Sequence, residues 1–436
     1  MNKNEFFRRR QQLMESMGKG SMVIVPTAPE RLRNRDIHYT YRPDSDFYYL
    51  TGFPEPSALA VLIPQRPQGQ YLLFCREQNP EQETWHGRRA GLEGACELYD
   101  ADDAFPITDI DDIIPGLMEN CHRLYYSIGC YPEFDNKITE WINQLRGLSR
   151  TGIGFPSEII ALDAVLHRMR LYKSPAEVEA MRQAALIATQ AHQRAMRFCR
   201  PGLFEYQIEA EINHELLLQG SRSPSYPTIV ASGKNSCILH YTENNSILQE
   251  GDLLLIDAGA EYDYYASDIT RTFPISGRFS PEQRIVYELV LRAQYAAIDK
   301  IRPGNHWNEP YEAAIEVITQ GLIQLGLLNG ELQELIKQEA YKRFFMHRVG
   351  HWLGMDVHDV GVYKLDEKWQ ILKPGMVMTV EPGIYISASD DIAQSWWNIG
   401  IRIEDDVLVT EAGCEVLTAS MPKTVEEIEQ WMVAKA

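Results

Sequence analysis

Leu248–Gly259 reads LQEGDLLLIDAG and Leu372–Gly383 reads LKPGMVMTVEPG. Both fit LxxGxxxxx[DE]xG: a turn glycine, an apolar strand, an acid at its end, and a glycine two residues on. Each stretch also has the same preamble. Ser174-Pro175 opens a helix leading to Arg200-Pro201-Gly202, and Ser280-Pro281 opens one leading to Arg302-Pro303-Gly304. Two copies of helix, RPG turn, helix and carboxylate-bearing strands predict a duplicated α+β domain with a pseudo-twofold axis.

The acids at the strand ends need a chemical reason. Asp257 closes the run Leu253–Ile256 and Glu381 closes Met376–Val380, apolar runs of the kind buried on both faces. An ionised carboxylate there must be paired, hydrogen-bonded or metal-bound. A glycine-containing turn through Glu261–Asp263 predicts a return strand over Tyr264–Pro274, where alternation puts Asp268, Thr270 and Thr272 on one face. The second half has its return strand at Ile399–Val409, with Arg402, Glu404 and Asp406 sharing a face. Each hairpin thus brings two acids together, Asp257 with Asp268 and Glu381 with Glu404.

Such carboxylates repel one another, and protons or cations must relieve them. The segment MHRVGHWLGMDVHDVG supplies His347, His351 and His358. Four acids and one imidazole suit a pair of divalent ions such as Mn²⁺, Co²⁺ or Zn²⁺, which carboxylates bridge at about 3.5 to 4 Å in two-metal hydrolases. Glycines at 350 and 354 argue against a regular helix carrying His347 and His351. His240, within Ile238–Thr242, reads alone as a strand-edge histidine. His192 and His214 sit on predicted helices without acidic company and read as structural or surface residues.

The 436 residues exceed one ordinary core and predict about two domains. Ser174, Pro175 and Glu177 form a capping box that starts a long helix over Pro175 to about Phe198. The boundary is accordingly placed near 173, giving an α/β domain over 1–173 and a catalytic α+β domain over 174–436. Strand-like runs at Ser57–Ile63 and Gln70–Phe74 fit the first. The formal charge of −19 opposes phosphate backbones and anionic bilayers, so neither nucleic acid nor membrane is an expected partner. Seven scattered cysteines without a CxxC pair, and an N-terminus without an apolar h-region, predict a reduced, cytoplasmic protein. The Arg8–Arg10 triplet reads as a solvated helix face.

In the contexts LLLIDAGAEY, ASDITRTF, VGHWLGMDVHDVG, TVEPGIY and GIRIEDDVLVT, the ordered acids and histidine resemble the proline-specific aminopeptidases (aminopeptidase P). These belong to the creatinase and methionine aminopeptidase "pita-bread" superfamily, family M24B. RPDSDFYYLTGFPEP resembles the creatinase-like N-terminal domain of Xaa-Pro-cleaving members. The resemblance implies that Asp257 chelates one ion, that His351 and Glu381 hold the other, and that Asp268 and Glu404 bridge the two. It further implies that His240, His347 and His358 surround the substrate carbonyl and proline, that Arg402 orients an acidic ligand, that Tyr385 and Thr270 support the ligands, and that Tyr385 also contacts substrate.

The implied reaction is hydrolysis of an N-terminal Xaa-Pro bond by a water that two ions, Mn²⁺ foremost, make acidic. Glu381 would carry the proton to the prolyl nitrogen, with His240 and His358 on the oxyanion. Trp85 either helps form the proline pocket from the N-terminal domain of a neighbouring subunit or reads as an ordinary rim or core tryptophan, and the family implies a homotetramer or homodimer. Arg348 departs from the family, which commonly has a small residue there. Two alternatives share the same residues: a dipeptidase restricted to Xaa-Pro, and a non-catalytic scaffold on the same fold.

Overall fold

The computed structural model describes residues 1–433 and divides into two compact units, Met1–Met169 and Arg170–Ala436. The division falls inside the helix Asp163–Leu171. Among the described residues no helix is long and apolar enough to cross a membrane.

The first unit is built on a six-stranded mixed sheet. From one edge to the other its strands are Asp103–Pro106, Tyr71–Cys75, Leu59–Leu62, Ser21–Pro26, Arg123–Tyr125 and Glu158–Ile160. Fully buried strands such as Leu59–Leu62 and Tyr71–Cys75 are apolar throughout because both faces are covered. Ile114, Met118, Trp141 and Ile142 of the helices Ile110–Met118 and Pro132–Gly147 pack with Ile24, Leu72 and Leu124 of the sheet.

The arginine triplet is not a solvated face. Only Arg8 is exposed, while Arg9 and Arg10 are 0% and 2% accessible. Arg9 donates to Tyr49 O at 3.1 Å and Arg10 to Leu50 O at 2.9 Å. Those carbonyls lie at the C-terminal end of the helix Ser45–Thr51, where a cation is favoured and the last carbonyls lack helical partners. The guanidiniums also lie over the rings of Tyr49 and Tyr71, at 4.0 and 4.2 Å.

The second unit carries the duplication. In each half a capped helix, Pro175–Phe198 or Pro281–Asp299, runs through an RPG turn into a second helix, Glu205–Leu218 or Glu309–Gln324. Both first helices have the serine capping box and proline in the first turn. The turns are tied to the strand motifs in the same way: Gly202 N donates to Leu248 O, and Gly304 N to Leu372 O, at 2.9 and 3.1 Å. Gly202 and Gly304 have φ of +88° and +95°, the region glycine enters without steric cost. The strands Leu253–Asp257 and Val377–Val380 are wholly buried.

The return strands differ from expectation in a way that shapes the site. Tyr264–Pro274 is not one strand; it forms Tyr265–Ala266 and Thr270–Pro274, with residues 267–269 out of the ladder. Gly259 passes so close that a Cβ there would lie 1.8 Å from Ser267 O. The Asp268 N–H leaves the sheet and donates to Asp406 Oδ2 at 3.1 Å. The hairpin turn also contains no glycine: Asp263 and Tyr264 themselves take φ of +50° and +65°, the signature of a two-residue type I′ loop. Ile399–Val409 is likewise broken, into Ile399–Arg402 and Asp405–Thr410. At the break Glu404 N donates to Thr270 O at 3.1 Å, so the kink stitches one half of the repeat to the other.

Candidate metal centre

Asp257 stands at the last position of its strand and pairs in register with Thr270. Its Oδ1 accepts from the Tyr226 hydroxyl at 2.6 Å and its Oδ2 from Arg402 Nη2 at 2.5 Å. The same Tyr226 hydroxyl reaches Asp268 Oδ1, so one phenol spans the two aspartates of the first half. Burial, then the charges of Asp257, Asp268 and Glu404, push the Tyr226 phenol well above its ordinary range.

Glu404 comes from the kink of the second half. Its Oε2 accepts from Thr270 Oγ1 at 2.7 Å, while Thr270 Oγ1 accepts from Arg402 Nε at 3.1 Å. Burial, reinforced by Asp268, Glu381 and Asp257, raises the Glu404 carboxyl far above the carboxylate range. Burial also raises Asp268, and it pushes Glu381 up to about 7 against the opposing charges of His351 and Arg402. Mutually repelling, desolvated carboxylates form a donor set that divalent cations relieve.

His351 is placed by its backbone. Its N–H donates to Thr379 Oγ1 at 3.0 Å, and Gly350 before it lies so close to Thr379 that a Cβ would sit 2.0 Å from Thr379 O. The ring Nδ1 lies 2.9 Å from Trp352 O, which directs Nε2 to within 3.4 Å of Asp268 Oδ2 and 3.7 Å of Glu381 Oε1. A backbone carbonyl on one nitrogen, with the other turned toward carboxylates, is the usual arrangement of a ligating imidazole. Burial alone would lower its pKa, but the Asp268 hydrogen bond and the charges of Glu381 and Asp268 take it up to about 9. Ligand atoms of Asp268, His351 and Glu404 all lie within 4.8 Å of one another. The residues therefore fit a metal.

The other histidines have different positions. His347 is engaged on both nitrogens, with Arg348 O at 2.7 Å and the Tyr385 hydroxyl at 2.8 Å, and burial with the Arg402 charge lowers it to about 3. Arg402 Nη1 donates to the same Tyr385 hydroxyl at 2.9 Å. His358 is exposed but packs edge-on against His351 with ring centroids 4.4 Å apart, and partial desolvation followed by the neighbouring His351 charge lowers its pKa. His240 is exposed and lies in a turn after a short 3-10 helix, not in a strand, because Gly233 to Cys237 curls away from the ladder. His192 is fully buried, with Nε2 3.0 Å from Ala258 O, directly after Asp257.

Asp257, Asp268, His351, Glu381, Glu404 and Arg402 line one cavity of about 580 Å³, together with His240, His347 and His358. Its lining residues all belong to the second unit. Tyr385 stands behind His347 and Arg402. Trp85 belongs to the first unit, on the helix Pro80–His86, and is 78% exposed.

Sequence reasoning missed Tyr226, Thr379 and the role of Asp406. Neither periodicity nor a charge pattern marks SYPTIV as a site segment. Thr379 could have been suspected as the polar interruption in an otherwise apolar strand, MVMTV. Asp406, although placed on the right face, uses its carboxylate to hold the Asp268 backbone.

Comparison with known proteins agrees over the whole chain. The pattern of metallopeptidase family M24 matches residues 179–411, and that of the aminopeptidase P N-terminal domain matches residues 6–125. An Xaa-Pro aminopeptidase of Escherichia coli is 46% identical over 435 residues, covering 100% of this chain and 98% of that protein. The structure of Pseudomonas aeruginosa aminopeptidase PepP superposes with a TM-score of 0.99 at 58% identity, covering 100% of this chain and 99% of the other. Zinc-substituted E. coli aminopeptidase P in complex with product superposes with a TM-score of 0.97 at 46% identity and the same coverage. The α/β N-terminal domain and pita-bread catalytic domain are therefore the architecture of this chain.

Proposed function

Because the chain belongs to metallopeptidase family M24 and is a metal-dependent aminopeptidase, we propose that it removes the first residue of peptides with proline in second position. The observation that carries this reading is the convergence of four acids and His351, from both halves of a duplicated domain, on one cavity. The relatives named Xaa-Pro aminopeptidase support the proline specificity.

The ligands proposed for two divalent ions are Asp257, Asp268, His351, Glu381 and Glu404, with Mn²⁺ as the working metal. When bound, such ions polarise the scissile carbonyl and acidify a water. The chain's own groups do the rest. Arg402, bonded to Asp257 and Tyr385, holds the carboxylate array in place. Glu381, at the open side of the array, carries a proton to the leaving prolyl nitrogen. His240 and His358, exposed on the cavity wall, donate to the carbonyl oxygen as charge develops there. His347 is kept neutral by burial and braces Tyr385. A tertiary prolyl amide has no N–H to satisfy and a fixed φ, which suits a shaped apolar wall such as Ile229 and Leu239.

A catalytic domain over 174–436, a cytoplasmic location and a homodimer or homotetramer belong to the same proposal. Trp85, exposed on a helix with no buried residue, is available to a neighbouring copy. The test is hydrolysis of Ala-Pro-Ala, Ala-Pro and Ala-Ala-Ala by Mn²⁺-loaded protein. Cleavage of the first with little action on the third supports the reading. Activity confined to the dipeptide would replace it with a dipeptidase.

A further inference from the structure

Arg348 immediately follows His347 and lines the same cavity, yet its side chain is exposed. Among the described residues it is the one permanently charged side chain on the exposed part of that lining, since Asp257, Asp268, Arg402 and Glu404 are buried and Glu381 is partly so. Its guanidinium is held in place. Nη1 donates to Asn308 Oδ1 at 3.0 Å, and the group lies 4.8 Å from the Tyr311 ring centroid and 5.2 Å from that of Trp369. One Asn contact leaves most of the five N–H donors of a guanidinium unused. Lys364 lies over the same Trp369 ring at 4.3 Å. A preorganised, largely unsatisfied fork at the rim of a site whose floor is anionic is suited to receive a carboxylate.

The direction of the substrate gives that receptor its occupant. An aminopeptidase holds the first residue at the closed, carboxylate-lined floor, so the chain beyond proline runs toward the exposed rim. An extended tripeptide carries its terminal carboxylate roughly 7 Å beyond the first carbonyl, within the span of a cavity of about 580 Å³. We propose that Arg348 is a specificity residue that binds a carboxylate downstream of the proline, either the free C-terminus of a tripeptide or an acidic third side chain. This rests on the Xaa-Pro reading above.

The test compares Mn²⁺-loaded wild type with Arg348→Met, which keeps an apolar stem against Tyr311 and Trp369, and with Arg348→Lys. Substrates are Ala-Pro-Ala with a free carboxylate, its C-terminal amide, and the amides of Ala-Pro-Glu and Ala-Pro-Gln. Wild type should favour acid over amide by about tenfold, chiefly through KM, with a similar or smaller preference for Glu over Gln. Arg348→Met should bring the ratio governing the true source close to one, and Arg348→Lys should retain part of it. A preference carried only by the first pair assigns the C-terminus, and one carried only by the second assigns the side chain. Equal ratios in wild type and Arg348→Met, with Xaa-Pro cleavage intact, would overturn the Arg348 proposal alone. Absence of Xaa-Pro cleavage in all three proteins would overturn it together with the reading beneath it.

Discussion

Thr270 Oγ1 donates to Glu404 Oε2 at 2.7 Å, so a residue of the first half of the repeat sets the carboxylate of the second. The same oxygen accepts from Arg402 Nε. Thr270→Val keeps the shape and removes both bonds. The expected outcome is metal affinity weakened about 10- to 100-fold, as is usual when a ligand's supporting hydrogen bond is lost. Titration of stripped protein with Mn²⁺, alongside far-ultraviolet dichroism to confirm the fold, checks it. Unchanged affinity would show that Glu404 is oriented by its backbone alone.

Gly350 tests whether His351 is placed by close backbone packing. A Cβ at this position would lie 2.0 Å from Thr379 O, a backbone atom that cannot yield cheaply. Gly350→Ala should therefore lower stability by about 1–3 kcal/mol and displace His351, weakening metal binding as well. Differential scanning calorimetry with and without Mn²⁺ separates the effects. A variant with wild-type melting and wild-type metal response would disprove the packing argument.

His192 predicts a pH dependence. Burial lowers its pKa to about 4 in the folded chain, against about 6.5 when unfolded. Between these values the unfolded chain binds the proton and the native chain does not, so stability rises with pH and is lost on acidification from about 6.5 toward 4. In His192→Gln, which retains a donor toward Ala258 O, the loss between pH 7 and pH 5 should be smaller by about 2 kcal/mol. Urea unfolding at both pH values measures this. Parallel pH profiles of the two proteins would contradict the assignment.

The duplication was legible because it repeats turn glycines, capping boxes and strand-end acids at matching positions, features set by local chemistry. The helix Pro175–Phe198 follows directly from its capping box and its apolar spacing. The breaks at residues 267–269 and at Ile403–Glu404 were not legible, because they come from bonds between the halves: Asp268 N to Asp406, and Glu404 N to Thr270. Alternation along one strand carries no information about such partners. Arg9 and Arg10 misled for the same reason, since what buries them is a helix end some 40 residues away. Tyr226 lay beyond reach because a tyrosine before proline has many ordinary explanations.

The central claim is that chemistry at this site depends on cations held by the carboxylate array. Protein stripped with chelator and dialysed should fail to hydrolyse Ala-Pro-Ala. Adding Mn²⁺ should restore turnover in step with the binding of two ions per chain, as expected of a two-metal hydrolase. Sustained turnover by protein shown to be free of metal would contradict the account.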